Sequence, residues 1–555
     1  MKLDFAGWLG ANTQINKMLL AEGVGTDSQN QAPGRADLRP WHVPSTVTNV
    51  PYDTQRKSLY RMGRATASDT LYWLSWSTVV HAIRGFDAED LQERTYFSGA
   101  AGGPAWTDNT MALPSTPYPT SSRPLGVPGP TAAPILAIDT AGSSTDQEVR
   151  TYVTTFVNDL GWESAPSPPA TITCNTDALI TVSNMEAAPS GNYGINRRRI
   201  YRTQTGSTSA EFFLEYDLSS ADLVYTGGAQ SWTESTAAVS SYDPLETQTT
   251  LGGWLPCPSD ATCLTQLWNM MAAVITGKSL RFCVAGTIYA WPYDYELVIA
   301  DQPIALGVWG QNLLVLTAGR FPSLITGQDP ASMSEQPIND FPFNGACQSV
   351  TSVISFPHGV AWAGPDGLCY LGASGSRVIT SGLIHPADWQ ALGPSTMVCS
   401  QFYGMAVVFY YDTAATAWKG FMVDPINPTG IYWLSQGYQA VYADPLTSSM
   451  FVLDTMGHIQ KWDAGASFMT ATFTSRAVRT ASANMGFARV LADSYPVTLS
   501  VIADGVTRAT RSITSDDVFS LPGGYEAQVW QVHVETTGAP ITSAHIAETD
   551  VELLP

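Results

Sequence analysis

The chain of 555 residues is poor in charge, with only 14% Asp, Glu, Lys and Arg. Basic residues are scarcer still: 27 Lys and Arg stand against 48 Asp and Glu, for a net charge of −21. The deficit is uneven. Residues 1–100 carry ten bases and ten acids, so residues 101–555, with 17 bases and 38 acids, hold the whole excess. Such a balance argues against gripping nucleic acid by phosphate neutralisation. Cysteines number seven, an odd count with no C-x-x-C, which removes the usual zinc and dithiol spacings. Cys283 in "LRFCVAG", Cys369 in "GLCYLG" and Cys399 in "MVCSQF" lie in apolar runs and read as buried free thiols. Cys257 and Cys263 are near enough in sequence to pair. No apolar run reaches the roughly 18 residues of a membrane helix. The opening "MKLDFAGWLGANTQ" carries Asp4 and no continuous apolar stretch, unlike a secretory signal. The expectation is a protein made in a cytoplasm, with no membrane insertion.

Catalytic signatures are missing as well. There is no G-x-S-x-G and no H-E-x-x-H, and the seven His are scattered singly. The repeated S-x-D-x-G-x-x-W turns of sialidase-type propellers do not occur. "RTYFSGAAGGPAWT" (94–107) is Gly-rich, but Gly99, Gly102 and Gly103 do not make G-x-G-x-x-G. A Pro-rich stretch follows it where a phosphate cradle needs a helix. It reads as a hairpin turn, or as a strand end from which the chain leaves the sheet, with Pro104 ending the pairing. No catalytic residue, no metal site and no cofactor is expected.

What the chain has in quantity is turns and apolar residues: 46 Gly, 36 Pro, 44% hydrophobic and 11% aromatic. That composition predicts an all-β protein of several domains. Residues 1–50 read as an extended arm, with one helix over 12–23 capped by Asn12 and stopped by Gly23. The arm is short of core residues, yet it contains Leu38, Arg39, Trp41 and Val43. These four are the candidates for an assembly interface, packing on other domains, a neighbouring subunit or another ring. Residues 51–125 give the first propeller strands, and a linker with seven Pro occupies 108–134. Residues 126–248 read as a β-sandwich able to fold alone, because Val149–Val157 alternates and strands follow at short spacing. Over 249–470 hairpin-like pairs begin at 280, 312, 359, 405 and 449. The last four are about 45 residues apart, the period of propeller blades. Residues 471–555 alternate well and read as a C-terminal β-domain.

Three clusters invite a chemical reading. Asp87, Glu89, Asp90 and Glu93 could do acid–base work or hold a cation; helix-start charge is the favoured reading. "NRRRIYRT" (196–203) could touch phosphates. On a strand, Arg197, Arg199 and Tyr201 share one face, and ion pairs with the 16 acids of residues 101–260 are favoured. The aromatics of "YRTQ" and "SWTES" suit either a sugar-binding face or, preferably, a core.

The order of several short motifs resembles tail nozzle proteins of short-tailed bacteriophages. "LLAEGVGTDSQNQAPGRADLRPW" (19–41) resembles their opening arm. "RTYFSGAAGGPAWT" resembles a strand end of that family, with "TYFSG" in place of its usual "YYTG". "RPLGVPGPTAAP" (123–134) resembles the lead into their fibronectin type III-like insert, and "TTFVNDLGWESAPSPP" the first hairpin of that insert. "VFSLPGGYEAQVWQVHVETTGAPITSAHIAETDVEL" resembles their C-terminal signature. The propeller is covered by architecture alone, and no motif marks channel-lining residues. The resemblance implies a structural virion component of the tail: a homo-oligomer, a hexamer in the family. It would sit below an adaptor (head-to-tail) ring and carry tail fibres or spikes. It would retain the genome and conduct viral double-stranded DNA without sequence-specific binding. The 13 acids of residues 261–470, against six bases, are then expected in part to line the lumen. The rival readings are a carbohydrate-binding adhesin and an envelope-degrading propeller hydrolase.

Overall fold

A computed structural model describes residues 1–50, 56–63, 72–87, 89–203, 211–218, 230–239, 243–246, 253–339 and 341–554. The protein is nearly all β, with 47% strand and 4% helix, and its repeating sheets are those of a β-propeller. It divides into two compact units. One comprises Met1–Val79, Asp301–Leu324 and Gln336–Pro555; the other comprises Val80–Ala300 and Ile325–Glu335. The expected boundary at 248/249 lies outside the described residues.

The first unit holds a run of radial antiparallel sheets. Two runs of four strands follow chain order. One is the sheet Ile354–Phe356, Gly359–Ala363, Leu368–Gly372 and Gly375–Val378; the other, Val398–Phe402, Met405–Asp412, Ala417–Val423 and Tyr432–Leu434, is one end of a ten-stranded sheet. A third is built from Ala440–Asp444, Ser449–Leu453 and His458–Lys461, and Ser45–Asn49 completes it at the edge. Hairpins Pro303–Trp309/Asn312–Thr317 and Ser58–Arg61/Trp73–Trp76 belong to the same series. First strands of successive sheets pack side by side: 303–309 on 354–356, then 398–402, 440–444 and 58–61. The hairpins expected from 312, 359, 405 and 449 are the middle strands of these sheets. Between them run apolar layers such as Trp41, Phe402, Val407, Phe409, Tyr432, Val452 and Trp462.

The first unit also holds a terminal sandwich. One sheet is ordered Lys2–Ala6, Ile541–Ala547, Phe487–Ala492, Phe519–Ser520. The facing strands Ala471–Thr474, Ala527–Thr536, Val497–Ala503 and Val506–Ile513 belong to a larger sheet. Alternate residues meet in an apolar core that includes Phe5, Phe473, Val490, Leu499, Val501, Trp530, Val532 and Ile546. Strand Asp27–Gln29 pairs antiparallel with Ala471–Thr474 and parallel with Trp433, so one sheet runs from a blade into this sandwich.

The arm is therefore a strap that contributes strands to three places in its own unit. No helix forms over 12–23. Asn12 accepts hydrogen bonds from the backbone N–H of Gln14 and Ile15; this Asx turn competes with helix and turns the chain.

In the second unit, His81–Arg84, Thr95–Ser98, Ala105–Thr107 and Arg123–Pro124 form one four-stranded sheet. Thr262–Gln266, Ala272–Thr276, Ser279–Phe282 and Glu296–Val298 form another, whose first strand packs beside His81–Arg84. The Gly-rich stretch is a hairpin turn inside the first sheet, with Tyr96 opposite Trp106. Pro104 does not end the pairing; it precedes the returning strand. Gly99, Gly102 and Gly103 all take positive φ, which explains the glycines. A Cβ on Gly103 would also meet Ser259 O at 2.8 Å. The Pro-rich linker is partly structured, since Arg123–Pro124 is the fourth strand. The hairpin expected from 280 is misplaced by one strand: residues after Phe282 form turns, and Ser279–Phe282 pairs back to Ala272–Thr276.

Between these two sheets in the chain lies the inserted sandwich. One sheet is ordered Ile135–Thr140, Leu179–Met185, Gln230–Thr233; the other is ordered Ala170–Asn175, Gln147–Asn158, Ile195–Thr203, Phe212–Leu218. Strand Gln147–Asn158 is covered on both faces from Tyr152 onward. Tyr152 joins Ile180, Val182 and Ile200 between the sheets, while Val153 packs with Tyr201, Phe212 and Leu245 on the outer face. Trp162 then stacks on Tyr289 of the same unit at 4.8 Å and 12°, so the insert is docked by aromatic contact.

All seven cysteines are free and buried, including Cys257 and Cys263. Burial pushes the Cys283 thiol up to about 12 and those of Cys369 and Cys399 higher still.

Candidate functional site

The first unit carries a funnel of about 650 Å³ where the chain enters the first strands of successive sheets. Lys57 precedes Ser58–Arg61, Ser349–Thr351 precede Ile354–Phe356, Ser395 and Thr396 precede Val398–Phe402, and Gln439 precedes Ala440–Asp444. Short 3-10 turns at Val350–Ser352 and Pro394–Thr396 shape two of these entries. Ser349 Oγ and Thr351 Oγ1 donate to Met397 O at 3.0 and 2.7 Å, tying neighbouring entries together. Arg56 Nη1 donates to Ser75 O at 2.5 Å, and the Lys57 side chain is exposed.

The described lining thus offers two cations, several hydroxyls and amides, and the indole of Trp418. No Asp, Glu, His or Cys lines it among the described residues. Such a set can hold an anionic group by charge-assisted hydrogen bonds. It assembles no acid–base pair. Among the described residues, no group of three or more His, Cys, Asp and Glu could hold a metal, and no helix is long and apolar enough to cross a membrane.

Of the placements expected for the four assembly candidates, the structure shows packing on other domains of the same chain. Leu38 is 0% exposed and lies in the terminal sandwich core, with its N–H donating to Ile541 O at 2.9 Å. Trp41 is 4% exposed among Phe402, Phe409 and Trp462. Val43 is half-buried beside that cluster, and Arg39 pairs with Asp37 at 3.0 Å. Leu38 and Trp41 are thus buried by their own chain rather than held out for a neighbouring subunit. The arm lacks long apolar runs because its strands are short and borrow the other sheets' cores.

Five of the 13 acids of residues 261–470 shape turns. Asp329, Asp412, Asp424, Asp444 and Asp454 each accept from the backbone N–H two residues on, an Asx-turn use of Asp. Asp87 and Asp90 do the same, accepting from Glu89 N and Gln92 N, with no helix there. Glu93 and Asp90 lie 3.7 Å from Arg84 and Arg94. These four residues form a turn rather than a site.

The arginine run is a structural network. Arg197 and Arg199 meet Asp217 at 3.2 and 3.0 Å, and Arg199 reaches Glu163 at 2.6 Å. Tyr201, on their face, donates to Glu163 at 2.8 Å. The opposite face is buried. Arg202 and Arg150, both 0% exposed, share the Glu234 carboxylate at 2.6 and 2.9 Å. The Glu234 carboxylate also accepts from the Tyr152 hydroxyl at 2.5 Å and from the Ile180 N–H at 3.0 Å. Arg150 also pairs with Glu148, and Arg202 Nε lies 3.4 Å from Glu215. Burial pushes the Tyr152 hydroxyl well above its ordinary pKa, helped by the Glu234 charge. Glu234 and Glu215 are distant in sequence, so the run alone could not name them. Of the aromatics read for sugar binding, Tyr201 is buried, and Trp232 stacks on half-exposed Tyr216 at 5.4 Å.

No protein-family model matches the chain, and no curated protein matches it. Solved structures similar to it include BBS1N in complex with ARL6DN (7% identity, 76% of this chain and 97% of that chain, TM-score 0.30). Virginiamycin B lyase from Staphylococcus aureus is similar over 69% of this chain and 99% of its own, at 9% identity and TM-score 0.27. BamB from Moraxella catarrhalis is similar over 48% and 82%, at 10% identity and TM-score 0.21. TM-scores of this size carry no argument about function.

Proposed function

We propose that the chain is a structural virion protein, a ring-forming tail nozzle of a short-tailed bacteriophage. It would assemble as a homo-oligomer, most simply a hexamer, beneath an adaptor ring, with fibres or spikes outside. It would retain the genome and conduct double-stranded DNA during ejection. The supporting observation is where the motifs behind the resemblance fall. Residues 19–41 make the strap that joins a blade to the terminal sandwich. Residues 94–107 make a blade hairpin, and 123–134 carry the chain from that blade toward the inserted sandwich. The segment "TTFVNDLGWESAPSPP" contains Trp162, which docks the insert. Residues 518–552 supply strands Ala527–Thr536 and Ile541–Ala547. Short motifs lying at the joints of one architecture, in one order, are more specific than any of them alone.

The insert's strand order fits the fibronectin type III-like reading with a variation. The sheet 170–175, 147–158, 195–203, 212–218 and the pair 135–140/179–185 match six consecutive strands of that fold, with its first strand absent. Strand 230–233 is an addition beside 179–185.

Electron microscopy of the purified full-length chain tests the proposal. Rings with an axial channel, binding tail extracts that lack this protein, are the expected result. A monomer at micromolar concentration that neither forms rings nor restores such tails would overturn it.

A further inference from the structure

The first unit contains a second cavity, of about 580 Å³, that the nozzle reading does not use. It lies between loop 33–36 and the sheet of residues 398–434. Its size falls within the roughly 300–1,000 Å³ of small-molecule sites. The apolar wall includes Trp41, Phe402, Tyr403, Met405, Met422 and Tyr432, and the polar lining is Arg35, Asp424, Asn427 and Thr429.

Three observations say what such a cavity suits. The first is Tyr403. It is 75% exposed, at the tip of the hairpin Val398–Phe402/Met405–Asp412, and its ring packs on Phe402 at 4.1 Å. Tyr403 and Gly404 both take positive φ, 49° and 77°, so the two-residue turn favours Asn-Gly. A bulky aromatic that lines the cavity while held out at a position that disfavours it points to a use beyond packing.

The second is Arg35. It is exposed and lines the cavity, and among the described residues its guanidinium has no hydrogen-bond or ion-pair partner, so it is available to a ligand. The third is Asp424. Its Oδ1 accepts from Ile426 N and Asn427 N at 2.7 and 3.0 Å, which fixes the carboxylate. Oδ2 accepts no hydrogen bond among the described residues.

A ligand for this lining needs an apolar face for the aromatic ring and several hydroxyls around its edge. The hydroxyls would accept from a guanidinium and donate to a carboxylate. A pyranose meets each requirement, with its C–H face on Tyr403 and its hydroxyls toward Asp424, Asn427 and Arg35. We propose that this cavity is a saccharide-binding site, with Tyr403 as the stacking platform and Asp424 and Arg35 as the hydrogen-bonding groups. The proposal does not depend on ring formation.

The test uses the full chain and saturation-transfer NMR with methyl glycosides of glucose, galactose, mannose and N-acetylglucosamine, and with adenosine as a flat, base-stacking control. At least one glycoside should bind at millimolar concentration. Tyr403→Asn suits the turn's backbone, so it should fold at least as well as the parent while weakening that glycoside about tenfold or more. Asp424→Asn and Arg35→Gln should weaken it about fivefold each. The proposal is overturned if no glycoside binds. It is equally overturned if adenosine binds in their place, or if Tyr403→Asn binds like the parent with an unchanged or raised melting temperature.

Discussion

The protein contains two β-sandwiches that solve the same packing problem differently. The terminal sandwich fills its core with aliphatic and aromatic side chains, among them Leu499, Val501, Trp530, Val532 and Ile546. The inserted sandwich places Arg150, Arg202 and Glu234 in its interior beside Tyr152, Ile180 and Ile200. They differ in continuity too. The insert's strands run uninterrupted from Ile135 to Thr233, whereas the terminal sandwich needs Lys2–Ala6 beside Ile541–Ala547. An apolar core tolerates substitution by degrees. A buried ion network fails when a single member is removed, because the remaining charge stays buried and loses its partner. A continuous module can fold alone; a sandwich built from both ends of the chain cannot.

Removing the strap should have the largest effect. Deleting residues 1–49 takes Lys2–Ala6 from one sheet, the connecting strand Asp27–Gln29 from another and Ser45–Asn49 from a third. The first unit should lose its whole stability, on the order of 5–15 kcal/mol. Limited proteolysis should leave the insert as the surviving fragment. A truncated protein that melts at the parent temperature would erase the contrast in continuity.

The next effect separates the two cores. Glu234→Ala should destabilise the insert by about 3–5 kcal/mol, read by faster labelling of Cys174, which is buried in that core. Leu499→Ala should cost the terminal sandwich about 3 kcal/mol and leave Cys174 labelling unchanged. Replacing the network together (Arg150→Met, Arg202→Met, Glu234→Leu) should recover most of the Glu234→Ala loss. If Glu234→Ala alone is silent, the two cores do not differ in the way described.

The smallest effect is the insert's response to acid. Asp177 accepts from Ser143 N and Ser144 N at 2.6 and 2.9 Å, and the Ser143 and then the Ser144 backbone N–H hold its pKa below the usual 3.8. A carboxyl whose folded pKa is depressed stabilises above its unfolded pKa, and that contribution is lost as pH falls through the folded value. Asp177→Asn should therefore lower the insert's melting temperature near neutral pH and flatten its decline below about pH 4. An unchanged pH profile would remove Asp177 as a source of acid sensitivity.

Much of this comparison was legible in the residues. Alternation over 149–157 identified a strand, and the recurrence from 312 to 449 identified the middle hairpins of successive sheets. The arginine run read correctly as ion pairs, but its partners could not be named, because Glu234 and Glu163 come to it only through the sheet topology. The strap read correctly as extended and as packing on other domains, but its strands could not be placed, because Lys2–Ala6 and Asp27–Gln29 are too short to announce themselves. They are strands because finished sheets offer them an edge. Asn12 misled for a local reason, since the side chain that caps a helix also makes a tight turn. The cavity beside Tyr403 left no sequence signal, since loop 33–36 and Tyr403 line it together only when strap and blade are both in place.

That Lys2–Ala6 pairs with Ile541–Ala547 has a consequence in time. Lys2 cannot find Ala547 until the strand that carries it has been made, and at about 5–20 residues per second this delay is on the order of a minute. Throughout it Phe5, Trp8 and Leu38 lack the core that later buries them, and they remain open to chaperones and proteases. A chain that stops short of Ile541–Ala547 never hides them. The strap thus makes synthesis through that strand a condition for leaving the pool of unfolded proteins.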